Sequence, residues 1–81
     1  MAHFEFLWTD EPVAHLAEHG ISQDDFEYVV CHPYSKGYRR SSGLPAVWRH
    51  TTDGRYIMAV YEELDETTIL PVTAYEVPEP R

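Results

Sequence analysis

The chain has little with which to cross-link or anchor itself. It carries one cysteine, Cys31, in 81 residues. No internal disulfide can form, a pattern that fits a reducing compartment. It has no apolar run near the roughly 20 residues that a membrane span requires. Residues 1–5 show no basic stretch leading into an apolar one, so no signal peptide is read and a cytoplasmic location is expected. Cations are scarce, with 6 Lys and Arg against 14 Asp and Glu and a net charge of -8. Such a total argues against a nucleic-acid partner. No internal repeat or low-complexity segment is present.

What is there is enough for one globular domain covering residues 1–81. Hydrophobic residues make up 43% of the chain and aromatics 14%, which excludes disorder of the whole. A domain of this size buries only about 60–65% of the surface its unfolded chain exposes, so its stability is modest and a partner could add to it. The few cations are concentrated. Residues 1–35 hold seven acids and no Lys or Arg; residues 36–55 hold Lys36, Arg39, Arg40, Arg49 and Arg55 against Asp53 alone. The bland reading of this window is a solvated hairpin. The functional one is a phosphate-holding surface.

Periodicity places the elements. Phe4, Phe6 and Trp8 alternate with His3, Glu5 and Leu7, which predicts a first strand within residues 3–9. Asp10 is the expected N-cap of a helix with Pro12 in its first turn and an apolar stripe of Val13, Leu16 and Ala17, ended by Gly20. Ser22, with Asp25 three residues on, starts a second helix that buries Phe26, Val29 and Val30 and stops at Pro33. Residues 34–45 are polar and basic, either a short edge strand or a mobile loop. Residues 46–52 and 55–62 form strands, and Asp53-Gly54 predicts a two-residue hairpin turn between them. That turn sets His50 opposite Ile57 and Trp48 opposite Ala59. One face then carries Ala46, Trp48, His50, Ile57, Ala59 and Tyr61, and lies beneath the helices because it lacks formal charge. Val47, Arg49, Tyr56, Met58, Val60 and Glu62 form the open face, where Tyr56, Met58 and Val60 are the expected centre of any protein interface. A last strand covers residues 67–77, with an edge or a bulge at Pro71. Pro78 and Pro80 end the ordered part.

Three groups of residues could carry chemistry. His15-Leu16-Ala17-Glu18-His19 has the spacing of a zinc-peptidase motif, since two His four apart share a helical face. A peptidase also needs a third ligand and a cleft, which take a far larger chain, so no metal or cofactor is expected. Cys31-His32 lacks partners for nucleophile or zinc chemistry, and Cys31 reads as a small apolar residue. The basic window is the most informative group. Lys36, Arg39, Arg40, Arg49 and Arg55 could hold phosphates, Tyr56 could stack on a base, and His50 or Glu62 could move a proton.

The order Phe4-Glu5-Phe6-Leu7-Trp8, then Leu16, His19-Gly20-Ile21, an acidic helix, Asp53-Gly54-Arg55, Val60-Tyr61 and Thr73-Ala74 resembles the BrnT-like toxins of the RelE superfamily. The resemblance implies an α+β fold: two N-terminal helices packed on a twisted antiparallel sheet of three to four strands. It implies a bacterial type II toxin with metal-independent RNA endonuclease activity, neutralised by an antitoxin protein. In that chemistry a ribose 2′-OH attacks the adjacent phosphate while cations stabilise the added charge. Carried over by position, Arg55 matches the Arg after the hairpin Gly, and Arg49 and His50 lie near the region that is basic in the family. With Glu62 they are the catalytic candidates, and Lys36, Arg39, Arg40 and Tyr56 of the basic window and its hairpin are the RNA-binding ones. Where the family's last strand has Ser-Ala-Arg, this chain has Thr73-Ala74-Tyr75. The alternative expectation is a catalytically silent interaction module on the same fold. A homodimer is a further expectation.

Overall fold

The computed structural model describes residues 4–79. The elements are β1 (Glu5–Phe6), α1 (Asp10–Glu18), α2 (Gln23–Cys31), β2 (Ser35–Tyr38), β3 (Pro45–His50), β4 (Tyr56–Glu63) and β5 (Thr68–Glu76). The strands form one five-stranded sheet in the order β1-β5-β4-β3-β2. β1 runs parallel to β5 and all other neighbours are antiparallel. The α+β class is as expected, but the sheet is mixed and has five strands instead of three to four. The first strand is also shorter than the alternation predicted. Only Glu5 and Phe6 pair with β5, because the bond after Leu7 N–H to the Ile69 carbonyl (2.9 Å) would need an N–H at Pro71; His3 lies outside the described residues. No helix among the described residues is long and apolar enough to cross a membrane.

Local chemistry accounts for the helix ends. α1 starts at Asp10 itself, capped by Thr9 with no side-chain bond, so Asp10 is the first helical residue and not the cap. Its far end is a Schellman turn. Gly20 adopts φ 68°, its N–H bonds the Ala17 carbonyl at 3.1 Å, and the Ile21 N–H bonds the Leu16 carbonyl at 2.9 Å. Ile21 and Leu16 are both buried, which supplies the apolar contact this motif usually carries. In α2 the Asp25 N–H donates to Ser22 Oγ at 3.1 Å, the expected cap. Of the α1 stripe, Leu16 is buried while Ala17 faces solvent.

The core lies between the two helices and one sheet face. Leu16, Ile21, Phe26, Val29 and Val30 pack on Val47, Ile57, Ala59 and Ala74. Phe26 sits at its centre, with the Phe6 ring at 6.4 Å and the Trp8 ring at 5.3 Å, both edge-on. The Trp8 Nε1–H finds a partner in Glu27 Oε2 at 2.8 Å. On the opposite face a second cluster of Ala46, Met58 and Val60 is covered by Leu44, Trp48, Val72, Tyr75 and Val77.

The β3–β4 turn differs from the expected one by a single residue. Thr51 N–H donates to the Arg55 carbonyl at 2.7 Å, so the loop is Thr52-Asp53-Gly54, three residues long, with Gly54 at φ 90°. The partners become Arg49↔Ile57, Trp48↔Met58 and Val47↔Ala59. Because side chains alternate along a strand, this slip moves every β3 side chain to the other face. β4 is oriented as predicted, with Ile57 and Ala59 beneath the helices. β3 is reversed: Val47 and Arg49 face the helices, while Ala46, Trp48 and His50 face away. The second face is also not open at its middle. Tyr56 is 9% exposed, Met58 8% and Val60 0%, so they cannot form the interface assigned to them.

The remaining segments resolve the other expectations. Residues 34–45 hold the edge strand β2 and a turn closed by the Arg39 N–H on the Leu44 carbonyl at 2.8 Å. β5 carries the bulge expected near Pro71: Val60 pairs with Thr73 and Tyr61 with Pro71, which leaves Val72 extra. The parallel β1–β5 ladder would next need an N–H from position 71 to the Leu7 carbonyl, which Pro71 lacks, so the pairing ends there. Pro80 lies outside the described residues. A glycine-specific backbone at the β3–β4 turn gives a direct test. Gly54→Ala places a side chain at φ 90° and should cost about 1–2 kcal/mol, read from urea unfolding.

Candidate functional site

The β3 reversal decides what Arg49 can do. Its guanidinium lies 4.2 Å from the Tyr34 ring centroid and 5.0 Å from that of Tyr28. Nη1 donates to the His32 carbonyl at 2.8 Å and Nη2 to the Tyr28 hydroxyl at 3.0 Å. His32 is the C-cap of α2, so the cation also sits at the negative end of that helix. The Nε atom is buried without a partner. Arg49 is therefore a clamp between α2 and the sheet, with both aromatic faces and both terminal nitrogens engaged.

Arg55 is a second clamp. Its Nε donates to Asp53 Oδ2 at 3.0 Å, and Nη2 reaches Asp25 Oδ2 at 3.7 Å near the start of α2. The Thr51 hydroxyl also donates to Asp53. That bond, followed by the one from Arg55, holds the Asp53 carboxyl below the usual range. Asp65 plays a similar part in the β4–β5 turn, where Thr67 and Thr68 N–H groups donate to Oδ1 at 2.9 and 2.8 Å and lower its pKa.

His50 and Glu62 lie elsewhere. His50 is on the face away from the helices, where Nε2 is 2.7 Å from Glu79 Oε1 and the ring meets those of Tyr34 and Tyr56. Glu62 is exposed near the end of β4 opposite Leu70, six positions from the Tyr56 that pairs with His50. Strand geometry puts that separation at about 20 Å. The four proposed catalytic residues thus occupy two faces and two ends of the sheet and share no point where a phosphate could meet them all. Of the four RNA-binding candidates, Tyr56 is buried. Arg39 places its guanidinium 5.9 Å from the Tyr75 ring centroid, and Arg40 and Lys36 are exposed.

The residues that do come together lie around β2. Lys36, Gly37, Tyr38, Pro45, Ala46, Tyr61 and Glu63 line a depression of about 210 Å³. Burial first, then Glu63 and Tyr38, raises the Tyr61 pKa, so this phenol stays protonated and can donate a hydrogen bond into the depression. Tyr38 is 73% exposed and Tyr34 61%, the two most exposed of the large hydrophobic side chains. A second depression of about 290 Å³ lies where Thr9, Glu11, Pro12 and His15 meet the β5 bulge. His19 packs near Tyr75, with centroids 6.0 Å apart, and does not share a site with His15. Cys31 is exposed at the end of α2, and partial desolvation, then Glu27, raises its thiol pKa, which lowers the thiolate fraction.

The sequence reading missed the Tyr28–Arg49–Tyr34 stack and the Tyr38–Tyr61 depression. The signal for the first was Tyr28 on the helix stripe two residues from Val30, next to the buried Val29. For the second it was Tyr38 and Lys36 alternating in one segment. No protein-family model, curated protein or solved structure matches the chain.

Two measurements check these assignments. Arg49→Ala should cost on the order of 2 kcal/mol in urea unfolding, from the lost stack and two charge-assisted bonds. A change below about 0.5 kcal/mol would reduce the clamp to a surface contact. For Asp53, the native pKa is lowered, so its stabilisation is full above the unfolded value of about 3.9. It fades as pH falls through the native pKa. The stability gap between the parent chain and Asp53→Asn should therefore be constant at neutral pH and narrow as pH falls below the unfolded value; a gap that widens in acid contradicts the turn assignment.

Proposed function

We propose that this chain is a small protein-interaction domain without phosphodiesterase activity. One observation carries the reading: Arg49 and Arg55, the cations best placed by sequence to hold a scissile phosphate, are already bound to groups of the protein itself. Transition-state stabilisation needs donors aimed at where charge develops, and a donor committed to the ground-state fold is not one. The net charge of -8 acts in the same direction, because it opposes the approach of RNA. The exposed tyrosines around β2 supply the kind of side chain that interfaces use most.

The second reading is a BrnT-like toxin, a metal-independent ribonuclease held by an antitoxin. The concentration of five of six cations within residues 36–55 favours it, with Lys36, Arg39 and Arg40 as the phosphate contacts. Induced expression of the chain alone in bacteria separates the two, read as growth and bulk translation. An interaction domain leaves both unchanged. Growth arrest with loss of translation, relieved by Lys36→Ala/Arg39→Ala/Arg40→Ala at an unchanged thermal midpoint, would make the toxin the correct reading. In vitro, single-stranded RNA should bind no tighter than roughly 10⁻⁴ M.

A further inference from the structure

We infer that the free edge of β2 is a docking strand for an acidic, extended segment of another protein, which adds to the sheet antiparallel or parallel to β2. This rests on the interaction-domain reading and names its surface and partner class.

β2 is the outer strand of the sheet, and among the described residues no strand pairs its far side. The Arg39 N–H bonds the Leu44 carbonyl, which extends the β2–β3 ladder by one inward-bonding position. Alternation along an antiparallel pair then assigns Gly37 and Ser35 to bond β3. Lys36 and Tyr38 point their N–H and C=O groups outward, two donors and two acceptors for an incoming strand. The other sheet edge, β1, offers only two residues. A side chain at Gly37 would lie 3.2 Å from the Trp48 ring, so the indole packs directly on this strand.

Charge selects the occupant. Lys36 lies on this edge and Arg40 just after it, while the Arg39 guanidinium reaches back over the sheet to Tyr75; Glu63 is the one acid lining the adjacent depression. Strand pairing with a second copy would set this basic edge against itself, and like charges across a strand pair destabilise it. A lysine in the middle of an edge strand is also a known guard against self-association. An acidic strand meets neither obstacle. Its side chains on the Lys36 face would run past the ammonium, and an apolar one would enter the depression of about 210 Å³ between Tyr38 and Tyr61.

The test uses the whole chain and two synthetic ten-residue peptides of alternating sequence, Glu with Val and Lys with Val. Amide exchange and chemical shifts are followed by NMR. In the free protein the Lys36 and Tyr38 amides should exchange freely while those of Gly37 and Arg39 are protected. The Glu/Val peptide, at about ten times its Kd, should slow the Lys36 and Tyr38 amides roughly tenfold. The Lys/Val peptide should not, and Lys36→Glu should abolish the effect while the thermal midpoint stays put. Tyr38→Pro removes one outward donor without touching the β3 ladder and should weaken peptide binding at an unchanged fold. Protection of Lys36 and Tyr38 in the free protein at millimolar concentration, lost on dilution, would identify a second copy as the occupant and overturn the proposal. Shifts confined to other strands or helices would overturn the β2 edge while leaving the interaction-domain reading intact. Equal binding of both peptides would overturn the charge argument.

Discussion

The geometry of this domain depends on one backbone bond, from the Thr51 N–H to the Arg55 carbonyl. It closes a three-residue loop that only a left-handed Gly54 can complete without strain. Side chains reinforce it, since Asp53 takes the Thr51 hydroxyl and the Arg55 guanidinium together. Strand register has a period of two, so this loop length alone decides which face of β3 meets the helices. Val47 enters the core as a result, and Trp48 is placed against Gly37 on the other side.

The same choice fastens α2 at both ends. Arg49, turned inward, grips the carbonyl of its C-cap and the Tyr28 hydroxyl. Arg55, at the turn, reaches Asp25 in its first turn. A nine-residue helix is marginal by itself, so tertiary contacts must hold it. Two arginines from one hairpin do so at positions where the helix dipole presents a carbonyl end and where acids cluster. The hairpin thereby uses two of the six cations of the chain in structure.

The cations left over are gathered at β2. Lys36 and Arg40 flank an edge that no strand among the described residues pairs, in a molecule that is otherwise acidic. Such a contrast makes the edge selective: it repels its own copy, and it draws a negative strand in from solution. Tyr38 stays exposed on it, whereas Tyr34 is engaged by Arg49 and His50.

The two helices, the Ser22 cap, the Gly20 turn and the buried Leu16 and Phe26 could be read directly, because each acts within one or two turns of chain; the cap of α1 and the exposure of Ala17 could not. The β5 bulge at Pro71 was legible for the same reason, since the missing N–H is a property of the residue. Local composition also determined the acidic total and the basic window. Three things were decided only by the tertiary structure. Asp53-Gly54 is compatible with a two- or a three-residue loop, and the choice between them belongs to the whole sheet packing on the helices. The parallel pairing of β1 with β5 joins segments more than sixty residues apart in the chain, with no local pattern to announce it. The fate of each arginine depended on which partners the register brought near, because a guanidinium binds a phosphate, a carboxylate or an aromatic face with the same atoms.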